Sequence, residues 1–298
     1  LQKLPAIFNA KSLKEKKGTK KTKAGKGKIE YDDGTVFEGY FRDGKKNGRG
    51  EFTFSNGDKY IGKFENDSYN GKGVYSWKSG ELYEGDFLHG LLEGSATIKY
   101  GNGDTYEGII SHSQRKGAGV YKAKTFEYQG NFLNDKFSGN GVYEDDYMRF
   151  EGAFIDGLRD GKGMEVYKTE HLEIRNPPVR YDGEFKKNKR EGNGVKLWRN
   201  GLKYDGEFKN GLKHGEGLML WPNEEVNGEI IIKNYKGMFT KDEINGGKGT
   251  VCWGVEGHTL NRYFGEFKNG IFNGKGLLQK ENGDEYDGNF VQGVYNGF

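Results

Sequence analysis

The 298-residue chain has 33% hydrophobic residues, a net charge of +3 and a mean hydropathy of −0.92, values that alone would suggest disorder. Its 51 Gly and 14% aromatic residues oppose that reading, because disordered chains are aromatic-poor; together they point to an ordered, turn-dense β protein. Only 4 Pro and one cysteine, Cys252, exclude a collagen, a disulfide framework and a Cys-based zinc module, and suit a reducing cytoplasmic compartment.

Residues 1–24 form a basic N-terminal arm, expected to be largely irregular. The first thirty residues hold ten Lys against Glu15 and Glu30, a net of +8, which leaves −5 for the rest. Lys14, Lys16, Lys17, Lys20, Lys21 and Lys23 are the electrostatic candidates. They suit an acidic membrane or microtubule surface, at about 1 kcal/mol per Lys near anionic lipid. The plainer reading is a solvated tail. Nucleic acid is disfavoured, because no aromatics interleave with the Lys and the body is acidic.

From residue 25 the chain repeats. An aromatic-X-Gly-X-Phe unit begins at Phe37, Tyr60, Tyr83, Tyr106, Tyr128, Phe150, Tyr181, Tyr204, Tyr235, Tyr263 and Tyr286, mostly 22 or 23 residues apart. Counting from each anchor, +2 is always Gly and +4 is Phe except at Ile110. Position +7 is Gly, Asp, Asn or Ser, and Gly-X-Gly follows at +11 and +13, with Ala96 replacing one Gly. Side chains alternate along a strand, so anchor, Gly and Phe share one face. The +7 residue marks a bend. The paired glycines of the second strand are expected to make room for the neighbouring rings. Each unit therefore reads as a β-hairpin, and about 21 strands are expected. The periodic carboxylates at +1 read as halves of cross-strand charge pairs.

Extra residues fall near 168–180, 222–234 and 254–262. Three of the four prolines (Pro177, Pro178, Pro222) are expected outside strand cores. Apolar pairs at +14 and +16 in units six to eight, such as Val195/Leu197 and Leu218/Leu220, suggest that the inserts or a second protein cover that face. Gly25-X-Gly27 fits the second half of a unit whose first half is missing, and Gly297 stands at +11 of the last unit. The expectation is an ordered piece of a longer protein.

The motif Tyr83-Glu-Gly-X-Phe87 with its downstream Gly-X-Gly resembles the MORN (membrane occupation and recognition nexus) repeat, and the resemblance covers residues 25–298. It implies an all-β, elongated, single-layer antiparallel meander of ten to eleven tandem hairpin repeats. It also implies settings such as the ciliary axoneme, radial-spoke heads among them, other cytoskeletal structures and membrane–organelle junctions. In lipid kinases and a lysine methyltransferase such an array is an accessory arm.

Catalytic signals fail. There is no P-loop, no dinucleotide fingerprint and no His pair at metal-ligand spacing, so no enzyme activity and no cofactor are expected. The informative column is +17, which reads Phe54, Trp77, Tyr100, Ala123, Asp145, Tyr167, Trp198, Trp221, Trp253 and Lys280. All four Trp lie there. Phe54, Trp77, Tyr100, Tyr167, Trp198, Trp221 and Trp253 are the candidate partner-binding ladder, fit for a helix or extended segment of another protein. They serve equally as the end of the ring-over-glycine stack. The resulting expectation is a non-enzymatic scaffold in a cytoskeletal or ciliary assembly. The alternatives are an anionic-lipid or membrane-junction module, or an accessory arm of a longer enzyme.

Overall fold

The computed structural model describes residues 13–16, 23–168 and 176–295. Among them there are 25 strands and no helix. The chain divides into two compact units, Leu1–Asp145 with Ile155–Gly157, and Asp146–Phe154 with Leu158–Phe298.

The first unit is an antiparallel meander of β1 (Gly25–Glu30), β2 (Val36–Arg42), β3 (Lys45–Thr53), β4 (Lys59–Glu65), β5 (Ser68–Ser76), β6 (Leu82–Leu88), β7 (Leu91–Lys99), β8 (Thr105–Ser111), β9 (Gln114–Lys122), β10 (Phe126–Leu133) and β11 (Lys136–Asp145). The second unit continues the pattern. Its strands are β12 (Met148–Ile155), β13 (Leu158–Tyr167), β14 (Pro178–Lys186), β15 (Lys189–Trp198), β16 (Lys203–Lys209), β17 (Leu212–Leu220), β18 (Glu224–Val226), β19 (Glu229–Thr240), β20 (Glu243–Ile244), β21 (Gly247–Val255), β22 (Asn261–Lys268), β23 (Ile271–Gln279), β24 (Glu285–Val291) and β25 (Val294–Tyr295).

Two residues, not one, make each bend. In β4–β5 they are Asn66 and Asp67, with φ of 47° and 69°. Positive φ at both central residues is the requirement of a type I′ hairpin turn, and it explains the Asn, Asp and Gly found there.

The register builds the core. Glycines stand directly opposite one another on successive strands: Gly27 faces Gly39, then Gly50, Gly62, Gly73 and Gly85 in turn. Each anchor ring lies flat over this row. A Cβ added at Gly62 or Gly73 would fall 2.3 or 2.7 Å from the nearest atom of Tyr60. The +4 Phe of the next unit then meets the anchor edge-on, as in Tyr60–Phe87, Tyr181–Phe208 and Tyr204–Phe239, with centroids 4.9–5.0 Å apart. Such contacts contribute roughly 0.5–1.5 kcal/mol each beyond area burial. The rings fill one face of a single sheet layer without a second sheet.

The two glycines of the second strand differ in role, which corrects the expectation that both lie beneath rings. The +13 Gly does. The +11 Gly adopts a left-handed conformation at an irregularity in the ladder: Gly215 has φ +61°, and a Cβ there would meet the Glu207 carboxylate. The irregularity frees the +3 carbonyl, and the anchor hydroxyl donates to it, as Tyr204 does to Glu207 O at 2.9 Å. That bond accounts for Tyr rather than Phe at most anchors.

The described inserts do not fold back. Residues 224–226 pair with Glu229–Ile231, and the extended β19 continues into Val255–Thr250 of β21, so this insert lengthens the ladder. Leu197 is accordingly 36% exposed. Residues 169–175 lie outside the described part. Pro178 opens β14 rather than preceding it.

Candidate functional site

Because the rings occupy one face, the other face of the first unit is open. A trough of about 890 Å³ runs along it from β1 to β8. At ~4.8 Å per strand this is a length of roughly 34 Å. Its floor is the backbone of the glycine row, and its walls are the side chains on either side of that row.

The walls differ in sign. Positions +1 and +14 supply Glu38, Glu51, Glu84 and Glu107, interrupted by Ile61 and Val74. Positions +3 and +12 supply Lys26, Arg49, Lys63 and Lys72, with Tyr40, Ser95 and Ile109 and with Asp86 as the one carboxylate. The register explains the sorting, because +1 of one strand stands opposite +14 of the next, so that Glu38 faces Glu51. Expected charge pairing across strands is therefore sparse here. Lys26 reaches Glu38 at 3.0 Å, which raises the Lys26 pKa and lowers that of Glu38. Lys72 reaches Asp86 at 3.3 Å. Glu51, Glu84, Glu107, Arg49 and Lys63 are exposed and pair with no described residue. Tyr40 (51% exposed), Ile61 (54%) and Ile109 (40%) add apolar surface to the same trough.

The +17 column divides by unit. Phe54, Trp77 and Tyr100 are 2–5% exposed and belong to the core, so these three cannot reach a partner. Each starts a connecting loop, as Phe54 N–H donates to Asp58 O, and Phe54 stacks on Phe52 at 5.1 Å. Where the column fails at Ala123, the shorter connection brings in Phe126, stacked between Tyr121 and Tyr143. In the second unit Tyr167, Trp198, Trp221 and Trp253 are half-buried and keep an open face. Lys196 and Lys213 lie 4.7 and 5.7 Å from the Trp198 ring, and Lys233 lies 4.8 Å from Trp221.

In the basic arm, the described residues 13–16 lie outside the strands but are tied to β1 and the turn after it. Lys16 N–H donates to Glu30 O, Asp32 N–H donates to Lys14 O, and Glu15 pairs with Tyr31. Lys23 O accepts from Gly44 N–H. Lys17, Lys20 and Lys21 lie outside the described residues.

A second set of charges, missed in the sequence, is structural. Position +9 is apolar, aromatic or cationic, buried in the first unit and half-buried in most of the second. Where it is Lys46, Arg115 or Lys213, the +7 residue of the next unit is Asp67, Asp135 or Asp242, whose Oδ1 accepts the +9 backbone N–H. Arg115 is 1% exposed and also pairs with Asp135 at 3.0 Å. Where +9 is Tyr69 or Leu92, the partner position is Gly90 or Ser113.

The MORN repeat family model matches residues 37–59, 60–81, 83–105, 128–145, 150–170, 181–203, 204–226, 263–285 and 286–298. This chain belongs to the MORN repeat family. The nine matches omit the units at Tyr106 and Tyr235. Both fold as the same hairpin, the first with Ile110 at +4 and the second with its return strand split into β20 and β21. Comparison with curated proteins gave no match. MORN repeats are usually protein- or lipid-binding modules, and an all-β array built of them suggests a non-catalytic binding protein. Among the described residues no group of His, Cys, Asp and Glu could hold a metal ion.

Proposed function

We propose that this MORN array is a non-enzymatic scaffold whose first unit holds an extended segment of another protein in the charge-split trough. The supporting observation is the row of unpaired Glu51, Glu84 and Glu107 facing the unpaired Arg49 and Lys63 across a bare backbone floor. Wall positions on one strand are two residues apart, about 7 Å, which suits an extended chain better than a helix ~10–12 Å across. The side chains of such a segment alternate toward the two walls, so acidic and basic residues in alternation complement both. The setting we propose is a cytoskeletal or ciliary assembly, where an array of binding repeats joins components.

The test is a titration of the full chain with a peptide of alternating Lys and Glu, about ten residues long to span ~34 Å. Saturable binding is expected, and Ile61→Asp together with Lys63→Glu should weaken it about tenfold, while Leu212→Asp in the second unit leaves it unchanged. Equal binding by all three proteins would remove the trough as the docking surface. Association of the tagged chain with axonemes or cytoskeletal fractions tests the setting, and uniform diffuse distribution counts against it.

A further inference from the structure

The ring face of the second unit carries more positive than negative charge. Glu165, 4% exposed, is claimed by both Arg159 and Arg190 and accepts from Tyr167 Oη. Asp242 pairs with Lys213 at 3.7 Å. Arg159, Arg190 and Lys213 thus take up these two carboxylates, and Lys196 among them is left without one. It stands at +15, where five other units place Phe52, Tyr75, Ile98, Tyr121 or Met219 in the core and the preceding unit places the buried Glu165. Its cross-strand neighbours are Tyr181 and Tyr204, and its ammonium lies against the Trp198 ring at 4.7 Å. It makes no ion pair or hydrogen bond with any described residue. A half-buried ammonium with no carboxylate in contact is an expensive arrangement for a fold that pairs Lys46, Arg115, Arg159, Arg190 and Lys213 with Asp or Glu.

We propose that Lys196, with Lys213 and the open faces of Trp198 and Trp221, forms a docking site for an acidic protein segment whose Asp or Glu carboxylate completes the pairing of Lys196. Charge complementarity selects the carboxylate. The flanking half-buried Tyr167, Trp198 and Trp221 select a peptide over a bare anion, because they offer stacking surface to the apolar neighbours of that carboxylate. Lys233, over Trp221 and likewise without a carboxylate, extends the cationic surface along the same direction. The site lies in the second unit and does not depend on the trough reading.

The groups facing Lys196 set how binding responds to pH. Arg190 on its own strand and Lys213 on β17 oppose its charge. Glu165 on β13 and Asp242 beside β20 favour it, and Tyr181 and Tyr204 flank it. Desolvation, reinforced by Arg190, brings its pKa down to about 8. A bound carboxylate raises that pKa, so affinity should fall as pH rises from 7 to 9.

The experiment is fluorescence titration of the full chain with a Glu-rich peptide containing Phe, with inorganic phosphate and with phosphatidylserine vesicles as separate arms. The expected result is peptide binding that quenches Trp emission and weakens about tenfold or more in Lys196→Gln. Lys196→Arg should retain binding and lose its fall between pH 7 and 9, a response that a purely structural role would not give. Lys209→Gln, an exposed substitution, should match the native chain. Peptide affinity unchanged in Lys196→Gln would overturn the proposal, and so would binding of vesicles or phosphate with none of peptide.

Discussion

If rings seated on glycines hold the single layer together, one methyl group on the floor should be enough to damage it. Take Gly217→Ala. The new Cβ would lie 2.4, 2.5 and 2.6 Å from Cε2, Oη and Cζ of Tyr204, against ordinary carbon contacts of about 3.5–4.0 Å, so the ring must move by about 1 Å. It has nowhere to go. Tyr204 is fully buried, Phe208 and Phe239 meet it edge-on at 5.2 and 4.9 Å, and its hydroxyl is held by Glu207 O. Displacement forfeits about 1 kcal/mol of hydrogen bond, part of two ring contacts worth roughly 0.5–1.5 kcal/mol each, and adds about 1–3 kcal/mol of overpacking. The expected loss is roughly 3–5 kcal/mol. Gly211→Ala is the control: its φ is +89° but no atom lies within 4 Å of the added Cβ, so only backbone strain of about 1–2 kcal/mol arises. A repeat array can open locally, so the readout is native-state hydrogen exchange at β16 and β17 amides. Protection in Gly217→Ala within about 1 kcal/mol of that in Gly211→Ala would refute the reasoning.

Ala96 is the exception to this rule and supplies the next prediction: it coincides with Ile110, the one non-Phe at +4, a smaller side chain where other units set a Phe against the preceding anchor ring. Ile110→Phe should therefore cost about 1–3 kcal/mol in the native background and little alongside Ala96→Gly, giving a coupling energy above 1 kcal/mol in a double-mutant cycle by urea unfolding; additive effects would contradict it. Asp135→Ala strands the buried Arg115 and should cost about 3–5 kcal/mol. Arg115→Leu with Asp135→Ser, copying the native Leu92 and Ser113 combination, should be nearly neutral by the same measurement. Lys196, whose pKa falls from 10.5 to about 8 on folding, binds its proton more weakly in the folded than in the unfolded chain. Stability should rise with pH between about 8 and 10.5, and Lys196→Met should be more stable than the native chain at pH 7 and lack that rise; parallel urea midpoints across this range would oppose it.

Much of the fold was legible because each unit repeats the same solution. Anchor, +2 Gly and +4 Phe have period two, and the ring contacts follow from that spacing alone. The +11 and +13 glycines are the same letter with different duties, one conformational and one steric, and only the backbone separates them. Their difference hid the ladder irregularity and the Tyr204–Glu207 bond. The Lys46–Asp67 and Arg115–Asp135 partnerships join residues 21 and 20 apart in neighbouring units, and they emerge from the sequence only once the units are stacked. The Trp and Tyr of +17 were visible as a column, but burial depends on the neighbour at +15: Tyr75 packs on the buried Trp77 at 4.6 Å, whereas Lys196 stands over the half-open Trp198. The trough depends on register: the sequence pattern pairs carboxylates at +1 with Lys, whereas in the sheet +1 faces +14, and Arg49, Lys63 and Lys72 stand in the opposite wall.

The most direct test of the account reverses one wall. Glu51→Lys, Glu84→Lys and Glu107→Lys together turn the acidic wall basic, leaving only Glu38, which Lys26 already pairs, without touching a ring or a glycine. Affinities of alternating Lys–Glu and all-Glu peptides of equal length would be measured on the native chain, on this variant, and on the variant carrying Lys196→Gln as well, which removes the second anion site. The account predicts that the native chain favours the alternating peptide, and that both variants reverse the preference toward the all-Glu peptide. An unchanged order of preference would contradict it.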